Sequence, residues 1–172
     1  METSMKEPNS LSGKYLSLTL AEEVYGLAIL KVREIISLLD ITAVPQTPLF
    51  VKGVINLRGK VIPIVDLRLR FGMPEKQYDD LTCIVVVETD LTDVQAQVGL
   101  IVDTVSDVLN ITAEQIETAP ACGTGLDTDY ILGIGKVKEQ IIILLDIDRV
   151  LKDEDWFRQQ QQAEEDHESM AA

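Results

Sequence analysis

The chain of 172 residues is long enough for one domain, or for two small barrels that share a core. Its 15 basic and 29 acidic residues give a net charge of −14, which argues against nucleic acid and anionic membrane surfaces as main partners. Hydrophobic residues make up 46% and aromatics only 5%, so Ile, Val and Leu must fill the interior.

Residues 1–13 are polar, with Pro8, Asn9, Ser10 and Gly13, and read as a disordered tail. They hold no apolar segment of the secretory-signal kind. No apolar run approaches the ~20 residues that cross a bilayer as a helix. Cys83 and Cys122 form no CxxC pattern, which disfavours a disulfide or a zinc site. The expected compartment is the cytoplasm, without direct membrane insertion.

Lys14–Leu20 alternates apolar and polar residues and reads as a half-buried strand. After a short turn at Ala21-Glu22-Glu23, Val24–Leu30 returns as a second strand containing Gly26. Residues 31–39 fit helix and strand spacing alike. Thr47-Pro48 suggests one helical turn, with Thr47 as its cap.

Val51–Leu69, VKGVINLRGKVIPIVDLRL, is the segment around which the rest is arranged. Gly53 and Gly59 bracket the turn Asn56-Leu57-Arg58, between two apolar runs. Pro63 within the second run predicts an edge strand or a bulge. The layout predicts a tight hairpin that presents Asn56 and Arg58 outward. From the pattern alone, an ordinary hairpin with a surface arginine fits equally well.

Leu81–Glu88 is a nearly continuous apolar strand, expected to be buried on both faces. Val94–Val102 is another strand, with Gly99 inside it. Thr112 opens a capped helical turn, and residues 119–128 form a loop. Tyr130–Val137 and Gln140–Asp146 make a hairpin around Lys138-Glu139. From Ile147 on, Val150, Leu151, Glu154 and Phe157 fall at helical offsets, which predicts a C-terminal helix running into an acidic tail over 153–172.

An internal repeat organises these elements. Gly26-Leu27 with Val32 matches Gly99-Leu100 with Val105, and Gly53 to Asp66 matches Gly133 to Asp146 in spacing. Short strands at this frequency predict a mainly β fold of small closed barrels. Halves over about 14–72 and 81–151 would each be marginal alone, so the predicted architecture is two barrels packed on a shared hydrophobic seam. Strands are free to cross between the halves.

Enzyme chemistry finds little support in the residues. The single histidine, His167, lies in the acidic tail, away from any base position in the body. Asp66, Asp103, Asp107 and Asp146 end strands or lie near turns, where solvated or backbone-bonded aspartate is common. Gly133-Ile-Gly135 lacks the third glycine of a dinucleotide loop. No catalytic, cofactor or metal residue is assigned. Charge is divided: residues 24–71 hold seven basic and three acidic residues, whereas residues 72–130 hold one basic and twelve acidic. Solvated faces of opposite sign, or two recognition surfaces with different partners, would both produce this.

Val51–Leu69, with Gly53, Asn56-Leu57-Arg58-Gly59, Pro63 and Val65-Asp66-Leu67-Arg68, closely resembles the signature of the bacterial chemotaxis coupling proteins of the CheW family. Tyr25-Gly26, Val32-Arg33-Glu34-Ile35, Gly99–Val105, Val108-Leu109, Tyr130 and Ile143–Asp146 fit the same family, over roughly residues 14–152. The resemblance implies two SH3-like five-stranded β-barrels. It implies a non-catalytic adaptor between the cytoplasmic tip of a chemoreceptor and the regulatory domain of the histidine kinase CheA, located at membrane receptor arrays and able to self-associate there. The receptor-binding positions it implies are Val32, Glu34, Gly53, Asn56, Arg58 and Gly59, with apolar side chains of a helical receptor tip lying in a groove between the barrels. It implies no cofactor. A coupler of a related chemosensory pathway, such as one for surface motility, fits the same residues, and a ligand-binding or enzymatic barrel is the rival class. The acidic, Gln-rich extension after Lys152 departs from the family pattern.

Overall fold

The computed structural model describes residues 11–89, 96–118 and 130–151. Expectations for Cys122, the loop at 119–128, and Glu154, Phe157 and the tail fall outside those residues. Eleven strands form the described body: β1 (Gly13–Leu20), β2 (Glu23–Ala28), β3 (Val32–Ser37), β4 (Val51–Leu57), β5 (Lys60–Asp66), β6 (Cys83–Thr89), β7 (Ala96–Val102), β8 (Thr104–Ile111), β9 (Ile116–Glu117), β10 (Ile131–Val137) and β11 (Gln140–Leu145). Two helices of one turn follow β5 and β11: α1 (Leu67–Arg70) and α2 (Ile147–Val150). No helix among the described residues is long and apolar enough to cross a membrane.

The strands make two sheets. One has five strands in the order β3-β6-β7-β5-β4, and the other has six in the order β8-β1-β2-β11-β10-β9, with β9 only two residues long. The sheets do not follow the sequence halves. Each half contributes its first hairpin to the other half's sheet: β1-β2 join β8–β11, and β6-β7 join β3–β5. Two parallel contacts carry this exchange, β5 with β7 and β2 with β11.

The repeated glycines sit at those contacts. Gly99 pairs with Ile64 and Gly26 with Leu144. A Cβ on Gly99 would come 2.5 Å from Ile64 Cδ1, and one on Gly26 would come 2.9 Å from Leu144 Cδ2. The missing side chain is what lets the exchanged strand lie this close to its neighbour's packed side chains. The repeated aspartates also correspond. Asp66 Oδ1 accepts a hydrogen bond from the Arg68 N–H at 2.9 Å, and Asp146 Oδ1 one from the Arg149 N–H at 3.3 Å. Each aspartate thus caps the helix turn that ends its hairpin.

Core residues divide into three groups. Ile55, Ile62, Ile64, Ile84, Val86 and Ile101 fill the five-stranded unit. Tyr15, Ile111, Ile142 and Leu144 fill the six-stranded unit. Between them lies a seam built from both sheets, with Leu18, Tyr25 and Leu27 against Val65, Val85 and Leu100, and with Leu67, Ile147, Val150 and Leu151 from the helix turns. Successive residues of β5 and β7 therefore face different cores: Ile64 and Ile101 point inward, and Val65 and Leu100 point to the seam. That is why these strands read as unbroken apolar runs. Each such buried side chain contributes about 1.5–3 kcal/mol.

One local reading left open resolves, and two expectations need correction. Residues 32–37 resolve as strand, after a short 3₁₀ turn at Ile29–Lys31. β5 is not an edge strand, because β4 and β7 flank it; Pro63 precedes Ile64, where pairing with β7 begins, and the bulge lies in β4 between Val51 and Gly53. Thr47 caps no helix: its hydroxyl donates to the Val44 carbonyl at 3.0 Å, and the Val51 N–H closes a simple turn on Pro48 O at 3.0 Å. The described part of the C-terminal helix is small, only the turn α2.

Candidate functional site

The β4–β5 hairpin turns on two residues, Arg58 (φ 53°) and Gly59 (φ 82°). Both occupy the left-handed region that a type I′ turn requires, which suits the right-handed twist of the flanking strands. Asn56 Oδ1 accepts the Gly59 N–H at 3.0 Å and pins the turn from within. Asn56 and Gly59 thus act on the shape of the tip, and Arg58 is the group presented. Its side chain is 73% exposed.

Arg58 NH1 donates to Glu34 at 2.8 Å. Glu34 sits in β3, at the opposite margin of the five-stranded sheet from β4, and its side chain is only 25% exposed. The pair therefore brings the two margins of the sheet together. Beside it lies a shallow groove of about 310 Å³, lined by Arg33, Glu34, Leu57, Arg58, Lys60 and Val86. These residues all belong to the five-stranded unit, so this groove lies at one barrel and not in the seam. Arg33 forms an ion pair with Glu88 along its flank. Leu57 offers apolar area, framed by three cations and the Glu34 carboxylate, while Val86 forms the buried floor.

Gly53 works from behind this surface. It has φ 143°, and a Cβ there would overlap the carbonyl of Thr42. Thr42 and Val54 exchange two backbone hydrogen bonds of 2.9 Å, which fasten the segment between β3 and β4 onto the hairpin. Gly53 is buried and permits that contact. Val32 is half-buried and packs on the seam, so part of its apolar surface serves the core. Of the six residues expected at the site, Glu34 and Arg58 meet directly, Asn56 and Gly59 shape the turn, and Gly53 and Val32 support it from the frame.

Two further networks hold the frame. Arg68 of α1 reaches Asp103, between β7 and β8, and Asp103 Oδ2 also accepts the Ala21 N–H at 3.0 Å. Burial pushes the Asp103 carboxyl up, but the hydrogen bonds from Arg68 and Ala21 outweigh it and hold the group below the usual aspartate range. Arg70 crosses the seam. Its Nε donates to Val150 O at 2.8 Å and its NH2 to the Tyr130 hydroxyl at 2.8 Å, while its guanidinium stacks 4.9 Å from the Phe50 ring and 5.0 Å from the Tyr130 ring. Beside it, Phe71 stacks on Tyr25. The arginines of the Leu67–Arg70 turn were visible in the sequence as charge only. Their partners Asp103, Tyr130 and Val150 lie 35 to 80 positions away, beyond any local pattern.

The aspartates weighed as catalytic candidates are used differently. Asp66 and Asp146 cap helix turns, Asp103 binds Arg68, and Asp107 is exposed on β8. Among the described residues, no group of three or more His, Cys, Asp or Glu is placed to hold a metal ion.

Comparison with known proteins agrees with this frame. The family model of the CheW-like domain matches residues 14–155. The chain is 44% identical over 142 residues to the chemotaxis protein CheW of Klebsiella aerogenes, covering 83% of each chain. It is 36% identical over 131 residues to CheW of Bacillus subtilis, covering 76% of this chain and 81% of that one. Among solved structures it matches the scaffolding protein TtCheW of Thermoanaerobacter tengcongensis, with a TM-score of 0.75 and 37% identity over 84% of this chain and 95% of that one. The two β units are accordingly SH3-like, as the sequence motifs implied. The chain belongs to the CheW-like family of chemotaxis scaffold proteins.

Proposed function

We propose that this protein is a non-catalytic adaptor that couples the cytoplasmic tip of a chemoreceptor to the histidine kinase CheA, in the cytoplasm beneath membrane receptor arrays. The observation that carries the reading is the Arg58–Glu34 pair, fixed at the tip of a rigid hairpin beside a groove with apolar and charged walls. In this reading the receptor tip, a helical hairpin, lays apolar side chains against Leu57. Arg58 and Glu34 set its register with polar contacts. Gly53, Asn56, Gly59 and Val32 keep that surface in shape. A second surface meets the regulatory domain of the kinase. Holding both partners at once raises their effective concentration, so individually weak contacts suffice to build an array. No bond is made or broken by the adaptor itself.

Capture of the full chain by a receptor cytoplasmic fragment and by the kinase tests the reading. Binding to both, with kinase activity in the mixture rising only when all three are present, is the expected result. Binding to neither contradicts it.

A further inference from the structure

Strand β3 lies at the margin of its sheet and changes face along its length. Val32 packs on the seam and Ile36 on the inner core of the five-stranded unit, although plain alternation would put both on one face. The register shows where the change occurs. Val32 pairs with Val87 and Glu34 with Val86, so Arg33 is an extra residue, a bulge. The bulge turns Glu34 to the face it shares with Val86, where Arg58 meets it. Without it, a strand anchored by Val32 on the seam would carry Glu34 to the seam face as well. The other half has a bulge at the corresponding place, fixed by different means. Ser17 corresponds to Val86, since Ser17 pairs with Gly26 and Val86 with the repeated Gly99. Val105 pairs with Leu18 and Val108 with Leu16, so Ser106 and Asp107 stand opposite Ser17 alone. The Ser17 hydroxyl accepts the Asp107 N–H at 3.0 Å and donates to the Asp107 carbonyl at 2.9 Å. Val86 has no hydroxyl to do this. The five-stranded unit uses an ion pair in its place: Glu88, on the same face of β6 as Val86, binds the bulge residue Arg33. The Glu88 side chain is only 20% exposed, so its carboxylate depends on that partner.

We propose that Glu88 is a positioning residue: by holding Arg33 at the bulge, it keeps β3 in the register that aims Glu34 at Arg58. Glu88 does not itself line the groove. It acts through the two side chains that do, because a bulge that moves along the strand changes the face of the residues it passes. An edge strand is held from one side only, so β3 has no second neighbour to fix its register. The consequence for receptor binding rests on the receptor reading above; the effect on the Glu34–Arg58 pair does not.

The test reads the Arg58 guanidinium by NMR in the full chain. Glu34→Gln gives the position of that signal when the pair is broken. Glu88→Gln keeps the size of its side chain and removes the charge. It should move the Arg58 signal most of the way to the broken position and weaken the nuclear Overhauser contacts between Glu34 and Val86. The Asp107 amide, held by Ser17, should stay in place and show that the fold is intact. Arg33→Gln breaks the same ion pair from its more exposed side and should act alike. The swap Arg33→Glu with Glu88→Arg should bring the Arg58 signal back toward wild type. An unmoved Arg58 signal in either single variant would overturn the proposal, as would equal movement of the Asp107 amide in both. Receptor fragment is added only afterwards: Glu88→Gln, like Glu34→Gln, should bind it on the order of 10-fold more weakly. A moved Arg58 signal without that loss would leave the positioning role standing and count against the receptor reading. Weaker binding by Glu34→Gln, with Arg58 unmoved in Glu88→Gln, would do the reverse.

Discussion

Arg68 and Asp103, 35 positions apart, are joined by three hydrogen bonds of 2.7 to 3.0 Å, and Asp103 also holds the Ala21 N–H. One carboxylate thus ties α1, the corner between β7 and β8, and the β1–β2 turn. The two side chains are only 15% and 11% exposed, so neither is well solvated if the other is lost. Replacing Asp103 with Ala leaves a largely buried guanidinium unpaired and should cost about 3 kcal/mol in urea unfolding.

The same carboxylate gives a signed pH dependence. Its folded pKa lies below its unfolded value of about 3.9. Its contribution is therefore present above that unfolded value and is lost as pH falls through the lower, folded one. Stability of the wild type should drop more steeply with acid below about pH 4 than that of Asp103→Asn, measured by urea unfolding across that window. Equal slopes would show that the ion pair contributes nothing to acid sensitivity.

Gly53→Asp should damage the frame and the surface together. The new Cβ strikes the Thr42 carbonyl, φ 143° is strained for an aspartate, and the carboxylate enters a buried position. A stability loss of about 3 kcal/mol is expected, with receptor binding reduced even where the variant remains folded. A variant with unchanged melting and unchanged binding would contradict the role given to the Thr42–Val54 fastening.

Arg70 ties the two β units through Val150 and Tyr130, so Arg70→Ala should loosen the seam. Amide exchange is the sensitive readout. Protection should fall first in α2 and in neighbouring seam residues such as Leu67 and Leu145, while the interior of the five-stranded unit around Ile62 and Ile84 holds. Arg70→Lys should restore little, because an ammonium cannot make the forked contacts and stack on two rings at once.

Much of this frame was legible in the sequence because it obeys short-range rules. Paired glycines and aspartates at matched spacing mark the two exchanged contacts and the two helix caps, and Gly59 after Arg58 marks the turn. Pro63 misled because a proline rule for edges describes one side of a strand, and β5 meets β7 only from Ile64 onward. Thr47 misled because its hydroxyl found a carbonyl three residues back. The exchange of hairpins and the Arg70 clasp left no local trace, since both are decided by residues far apart in the chain. At the site, Glu34 and Arg58 were named together on family resemblance. Arg33 and Lys60 of the same groove were missed: plain alternation sets Arg33 opposite Glu34, and the irregularity in β3 between Val32 and Glu34 is what brings both to the groove.

The central claim is that Arg58 acts on a partner and not on the fold. Reconstituted kinase activation, with receptor fragment, adaptor and CheA, measures it most directly. Arg58→Ala should unfold within about 0.5 kcal/mol of wild type, because its side chain is mostly exposed. Its coupling should weaken by about 1–3 kcal/mol, with Arg58→Lys recovering only part. The double swap Glu34→Arg with Arg58→Glu should regain some of what each single reversal loses, as expected of two side chains in contact. Full activation by a folded Arg58→Ala protein would contradict the account.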